Sequence, residues 1–383
     1  MPSFKRTLPL LLLLSATSLA QSLSSLLGSV ESLRMLSEIL KTQPDIVSSL
    51  STAKNITVLA PSNDAFSSFM KSPMAMMANG STVGALLSYH VLEGVYKSSD
   101  FMKMPQFLPT MLMDRRFANF TMGGKQVVEA AIEDGKYNLY SGLHMKSSVS
   151  MPDVVFDGGT IHVIDSVLTL PMNVSTTAIA ANLTAAAGAL MHVGLVEAVD
   201  TLQSVTIFAP NNAAFQAIGN LLPGLDNDTL TSILGYHCVP MTVGFSTSLS
   251  DGQELMTLEG SKLTIHIKEG VYYVNGAKVV MGNIITSNGV VHVIDGVLNP
   301  NNTNDTPNTA DETQSAAFPS ATRVSNVPFT SGLMTMTGSM TSMPTSTSTA
   351  APGSTNAANT LRGNIASGAV VGAAALFALA IVA

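Results

Sequence analysis

The sequence predicts an α+β protein built from two tandem copies of one module, set between processing signals at its two ends. Three observations carry this. First, three phrases recur in one order: TVLAPSNDAF (57–66), SYHVLEG (88–94) and TIHVIDSVL (160–168), then TIFAPNNAAF (206–215), GYHCVPM (235–241) and VVHVIDGVL (290–298). Self-similarity of this kind means two copies of one supersecondary unit. Second, each copy begins with apolar residues at helical spacing and ends in strand-like alternation. Third, beyond residue 300 the composition turns abruptly to Ser, Thr, Pro, Ala and Met, with almost no charge.

Lys5 and Arg6 precede an apolar run from Leu8 to Leu14, and Ser18-Leu19-Ala20 supplies the small residues that a signal peptidase reads. Residues 1–20 are therefore expected to be a secretory signal peptide, leaving Gln21 as the mature N-terminus. The run is too short, and too near the start, for a buried helix. The modules are placed at 21–170 and 171–300, each an ordinary domain size. The first two phrases recur at nearly constant spacing and the third recurs early. The first module thus carries a longer segment between its second and third phrases.

Leu33, Leu36, Ile39 and Leu40 give the first module a helical stripe within 26–50, and Leu190, Val193, Val196 and Val199 repeat it within 179–202. Thr57-Val58-Leu59 and Thr206-Ile207-Phe208 are β-rich and lead to a proline, so they read as strands entering turns. Asn63-Asp64 and Asn211-Asn212 fit helix starts just beyond. Leu263 to Ile267 alternates, Val271 to Val274 follows a Glu269-Gly270 turn, and 161–164 and 290–294 read as closing strands after Gly-bearing turns. Helices first and strands later make the module α+β.

The Ser/Thr-rich tract, 301–356, cannot bury enough apolar surface to offset its ordering entropy, so it reads as a disordered, O-glycosylated stalk. It is followed by Arg362 and Asn364 in a polar spacer and by an apolar tail, Ala369 to Ala383. Small site, spacer and tail in this order signal a glycosylphosphatidylinositol (GPI) anchor, with 357–383 removed. Asn356 is the expected attachment residue, ahead of Gly353, Ser354 and Ala358. A true span needs roughly 20 apolar residues and a basic stop-transfer flank, neither of which the tail supplies.

Composition fits an exported chain. Asn-X-Ser/Thr acceptors stand at Asn55, Asn79, Asn119, Asn173, Asn182, Asn227, Asn301 and Asn304, implying a glycosylated surface. The net charge of -7 provides no basic patch for nucleic acid. The single cysteine, Cys238, excludes an intrachain disulfide framework and reads as a small buried hydrophobe.

With both sets of phrases in view, the chain resembles a tandem fasciclin (FAS1) domain protein over 21–300. The first box, the Tyr-His pair and the His-Val-Ile-Asp closing box all occur twice in family order. The resemblance implies a β-sandwich-like wedge decorated with helices, and a role in adhesion or matrix contact without catalysis. The stalk and anchor are similar to those of fungal cell-surface members. Plant fasciclin-like arabinogalactan proteins differ from this chain in their many Ala-Pro, Ser-Pro or Thr-Pro repeats. In some members the Tyr-His box and the closing aspartate touch a partner. The matching positions are Tyr89, His90 and Asp165, and Tyr236, His237 and Asp295.

Little else suggests reactive chemistry. His90 with His162, and His237 with His292, could pair if their boxes met, yet no third or fourth ligand accompanies them, so no metal is expected and hydrogen bonding inside a core is the better reading. There is no Gly-x-Ser-x-Gly elbow, His-Glu-x-x-His motif or phosphate-cradling glycine loop, so neither enzyme activity nor a cofactor is expected. Methionine is the oddity. Met70, Met74, Met76, Met77, Met102, Met104, Met111 and Met113 crowd the first module, as core filler in a chain without tryptophan or as an adaptable groove.

The expected protein is thus a GPI-anchored surface glycoprotein that binds cell-surface, cell-wall or matrix components, a second copy of itself among them. The alternatives are a lipid or apolar ligand at the Met-rich first module, and a structural wall spacer. The first module, with its longer segment, is expected to make the main contact.

Overall fold

The computed structural model describes residues 21–72, 75, 80–121, 123–310 and 314–331. The expected signal peptide, the anchor signal with Asn356, the tract from 332 onward, Asn79, Met74, Met76 and Met77 lie outside the described residues.

The first module opens with short helices: α1 (Leu23–Ser29), α2 (Arg34–Lys41) and α3 (Pro44–Thr52). The Ser22 hydroxyl caps α1 by accepting from the Ser25 N–H, and Pro44 starts α3 where its missing N–H costs nothing. Then come β1 (Ile56–Pro61), α4 (Asn63–Phe69), α5 (Gly80–Tyr89), β2 (Val91–Glu93), β3 (Gln106–Pro109), β4 (Val127–Glu133), β5 (Lys136–Tyr140), β6 (Lys146–Phe156) and β7 (Gly159–Ile164). The helical stripe at 26–50 is therefore broken into several pieces.

The second module repeats the order with α6 (Val174–Ala180), α7 (Thr184–His192), α8 (Val196–Thr201), β8 (Val205–Pro210), α9 (Asn212–Ala217), α10 (Asn227–Tyr236), β9 (Cys238–Val239), β10 (Glu254–Met256), β11 (Lys262–Lys268), β12 (Val271–Val274), β13 (Ala277–Thr286) and β14 (Gly289–Ile294). Ser62 and Asn211 cap the equivalent helices α4 and α9, which explains the helix-start signal at those positions.

The strands of the first module run β2-β1-β7-β6-β5-β4-β3, and those of the second β10-β11-β12-β13-β14-β8-β9. Among the described residues, β1 with β7 and β8 with β14 are the parallel pairs, each one strand in from an edge of its sheet. The edges of each sheet meet. Met111 N–H donates to Val91 O at 2.8 Å, and Leu258 N–H donates to Cys238 O at 2.7 Å. Each module is thus a single rolled sheet with helices on its outside, a barrel-like wedge rather than two separate facing sheets. Val58 and Ala60 face the helical layer, while Leu59 faces the interior of the roll, which is why every residue of β1 is buried. Gly159 and Gly289 open the closing strands where a Cβ would lie 1.8 Å from Ile56 O and Val205 O.

The expected stalk does not begin at 301. Residues 314–331 form a strap across the helices of the second module, with Phe318, Ala321, Val327 and Phe329 packed on its core. Val324 N–H donates to Gln216 O, Gln216 Nε2 to Ser325 O, and Asn220 Nδ2 to Ser320 O. Among the described residues no helix is long and apolar enough to cross a membrane.

Candidate functional site

Tyr89 and Tyr236 are fully buried, and their hydroxyls donate to Val127 O at 3.0 Å and Lys262 O at 2.8 Å. Tyr236 also accepts from Asn275 Nδ2. Each tyrosine therefore pins the end of a helix to the first residue of β4 or β11.

The neighbouring histidines bridge two backbones. His90 Nδ1–H donates to Leu86 O at 2.7 Å, and its Nε2 accepts from Leu168 N–H at 2.9 Å. His237 repeats this with Ile233 O and Leu298 N–H at 2.7 and 2.9 Å. An amide can only donate, so Nε2 carries no proton and each ring is neutral. Burial lowers both pKa values to about 4, against the opposing pull of the carbonyl bond.

The closing-strand histidines take the other tautomer. His162 Nε2–H donates to Tyr96 O and His292 Nε2–H to Gly244 O, each at 2.7 Å. Their Nδ1 atoms accept from Asp153 and Asn283 N–H, at bulges where these residues have φ of 60° and 59°. Burial depresses both pKa values, that of His292 to about 4. The paired imidazoles do not converge on a common point. Both nitrogens of each ring are spent on backbone groups of different segments, an arrangement that holds loops and leaves no lone pair for a metal.

Asp165 Oδ1 accepts from Ser148 N–H at 2.8 Å, and Asp295 Oδ1 from Lys278 N–H at 2.7 Å. Asp165 is exposed and Asp295 half-buried, with burial raising the Asp295 pKa. Of the six positions expected at a partner contact, Tyr89, His90, Tyr236 and His237 are buried inside the fold. Asp165 is the most accessible.

Part of the longer segment of the first module makes contacts within the chain. Residues 110–126 reach the second module. Asn119 N–H donates to Ser287 O at 2.6 Å, Asn119 Nδ2 to Thr201 O, and Gln203 Nε2 to Asn119 Oδ1. Thr121 N–H donates to Ser204 Oγ, and buried Gln126 sends Nε2 to Thr286 O at 3.0 Å. Phe107 stacks on Phe245 with ring centres 4.0 Å apart. These contacts seat one module on the other through part of the segment.

At this junction Glu129 is buried on β4, and burial, with Glu133 nearby, pushes its pKa up to about 8 despite Asn283 across the junction. Its Oε2 has no partner among the described residues, nor do the ring nitrogens of His144, which stacks on Tyr140 at 4.6 Å. Sequence reasoning passed over Phe107, Gln126, Glu129 and His144, and read Asn119 only as a glycan acceptor. The available signals were the extra segment itself and a lone acid in the run Val127-Val128-Glu129-Ala130-Ala131.

Among the glycan acceptors, Asn55, Asn182, Asn227, Asn301 and Asn304 are exposed, while Asn119 and Asn173 are half-buried, Asn119 Nδ2 donating to Thr201 O and Asn173 Oδ1 accepting from Thr176 N–H. Cys238 is buried, its thiol pushed up to about 12 by desolvation. Met102, Met104 and Met113 are exposed, so these three do not fill a core.

The fasciclin domain model matches residues 31–171 and 181–300. A fasciclin-like arabinogalactan protein of Arthroderma benhamiae is 35% identical over 85% of this chain and 77% of its own length. Fasciclin-like arabinogalactan protein CTB11 of Cercospora beticola is 32% identical over 73% of this chain and 77% of its own length. Human periostin is 34% identical over 37% of this chain and 18% of its own. The solved FAS1 domain pair of the insect cell adhesion molecule fasciclin I is 17% identical, covering 70% of this chain and 97% of that one, with a TM-score of 0.34.

Proposed function

The chain belongs to the fasciclin-domain family, and from that premise we propose that it is a GPI-anchored surface glycoprotein whose two modules act as one adhesive head toward cell-wall, matrix or cell-surface components. The observation that carries this reading is the junction. Residues 110–126 lock the modules together, so both present their surfaces to a partner in a fixed relation. The box residues maintain the fold, and recognition falls to exposed groups such as Asp165 and the glycans. Weak contacts at many copies in one membrane gain avidity from effective concentration.

The exposed Met102, Met104 and Met113 support a second reading, an adaptable apolar surface on the first module. Cells displaying the full chain are expected to aggregate or to hold wall fragments, with soluble mature protein competing. Phosphatidylinositol-specific phospholipase C is expected to release the protein and abolish the effect. Unchanged adhesion after complete release would sink the anchored-adhesin reading. A lipid co-purifying in native mass spectra, without any adhesion, would favour the second.

A further inference from the structure

The two copies control for one another. Ser98 N–H donates to Asp153 Oδ1 in the first module, and Ser246 N–H donates to Asn283 Oδ1 in the second, so these turns superpose in sequence. Three residues on, the first module has Phe101 and the second Leu249. The Phe101 ring stands edge-on to Tyr137 and His162, at 5.4 and 5.7 Å between centres. The counterparts of those two rings are Tyr272 and His292. Both line a cavity of about 350 Å³ whose walls include Leu249 and Phe208.

Phe208 on β8 replaces Leu59 on β1 and stacks on His292 at 5.6 Å, while the smaller Leu249 stands at the position of Phe101 and lines the cavity with Tyr272 and His292. A volume of this size lies within the range of small-ligand pockets. Ser246 also lines it, its hydroxyl oxygen already accepting from Asn283 Nδ2, so its O–H is directed elsewhere and suits an acceptor on a ligand.

The geometry points to a binding pocket in the second module for a small planar phenol, its ring lying between Tyr272 and His292 where the first module holds its own Phe101. The rings of the host supply offset and edge contacts, and the phenolic oxygen meets Ser246. The pocket is separate from the surfaces invoked for adhesion.

The test is calorimetric titration of the purified mature protein with 4-methylphenol. Saturable one-to-one binding is expected, with a Kd below about 1 mM for a ligand of this size. Leu249→Phe restores the side chain of the first module and is expected to weaken binding at least about tenfold while the melting temperature holds. Val279→Phe fills the same space from another lining position and serves should the first variant fold poorly. 4-Methylcyclohexanol, similar in size but not planar, is expected to bind at least about fivefold more weakly. Failure of 4-methylphenol to saturate, undiminished binding to both folded variants, or equal binding of the cyclohexanol would each overturn the assignment.

Discussion

His90, His237 and His292 are buried imidazoles fixed as neutral by an amide on one nitrogen and a carbonyl on the other. Their folded pKa values near 4 lie below the roughly 6.5 of an unfolded chain. As pH falls from 6.5 toward 4, the unfolded state takes up protons that the folded state refuses. Each histidine therefore removes about 1.4 kcal/mol of stability per pH unit across that window. Glu129 works from the other side. Its folded pKa of about 8 stands above an unfolded value near 4.3, so its contribution is lost as pH rises through that interval, up to pH 8. The two slopes place the stability optimum near pH 6–7. Urea unfolding from pH 4 to 9 should show a limb on each side. Glu129→Gln should raise stability at pH 8 by roughly 2–4 kcal/mol and leave the acid limb in place. An alkaline limb that persists in that variant would assign it to other groups.

At the scale of elements, the strap is the clearest departure from what composition suggests. Gly188 lies in α7 where an added Cβ would sit 1.8 Å from Phe329 O. Alanine in a helix interior ordinarily gains about 1 kcal/mol over glycine. Here Gly188→Ala is expected to lift the strap instead, and trypsin should cut after Arg323 several-fold faster than in the native protein. Equal cleavage rates would mean that the strap yields without leaving. The strands and helix starts around the boxes were legible because their signals are local: β-branched runs ending at Pro61 and Pro210, and Ser62 and Asn211 as caps. The strap was not. Phe318, Val324, Val327 and Phe329 are sparse in a polar tract, and their meaning depends on a glycine far back in the chain. The buried state of Tyr89 and His90 was legible only as one of two readings, since identical residues serve a core or a contact. The rolled sheet was hidden for a similar reason: its edges close through backbone bonds, Met111 to Val91 and Leu258 to Cys238, that carry no side-chain signature.

For the molecule as a whole, the junction decides whether two modules behave as one head. Its hydrogen bonds are joined by an aromatic stack, Phe107 on Phe245, that adds apolar contact. Such a ring pair is worth about 0.5–1.5 kcal/mol beyond its buried area, so Phe107→Ala and Phe245→Ala should show coupling of that size in a double-mutant cycle. Asn119 is the second lever, because its amide sits between Thr201 O and Gln203 Nε2. A glycan on that nitrogen would enter the seam, so Asn119 is expected to emerge unmodified from the secretory route while Asn55, Asn182 and Asn227 carry sugar. Peptide mapping after enzymatic deglycosylation in heavy-oxygen water reads this directly. If the fixed relation of the modules underlies adhesion, then Phe107→Ala with Asn119→Ala should enlarge the scattering envelope, keep both modules folded, and weaken adhesion of cells more than it weakens binding of the soluble protein. A loosened junction with undiminished cell adhesion would instead mean that each module binds alone. In that case the long segment of the first module would serve only to keep the chain compact.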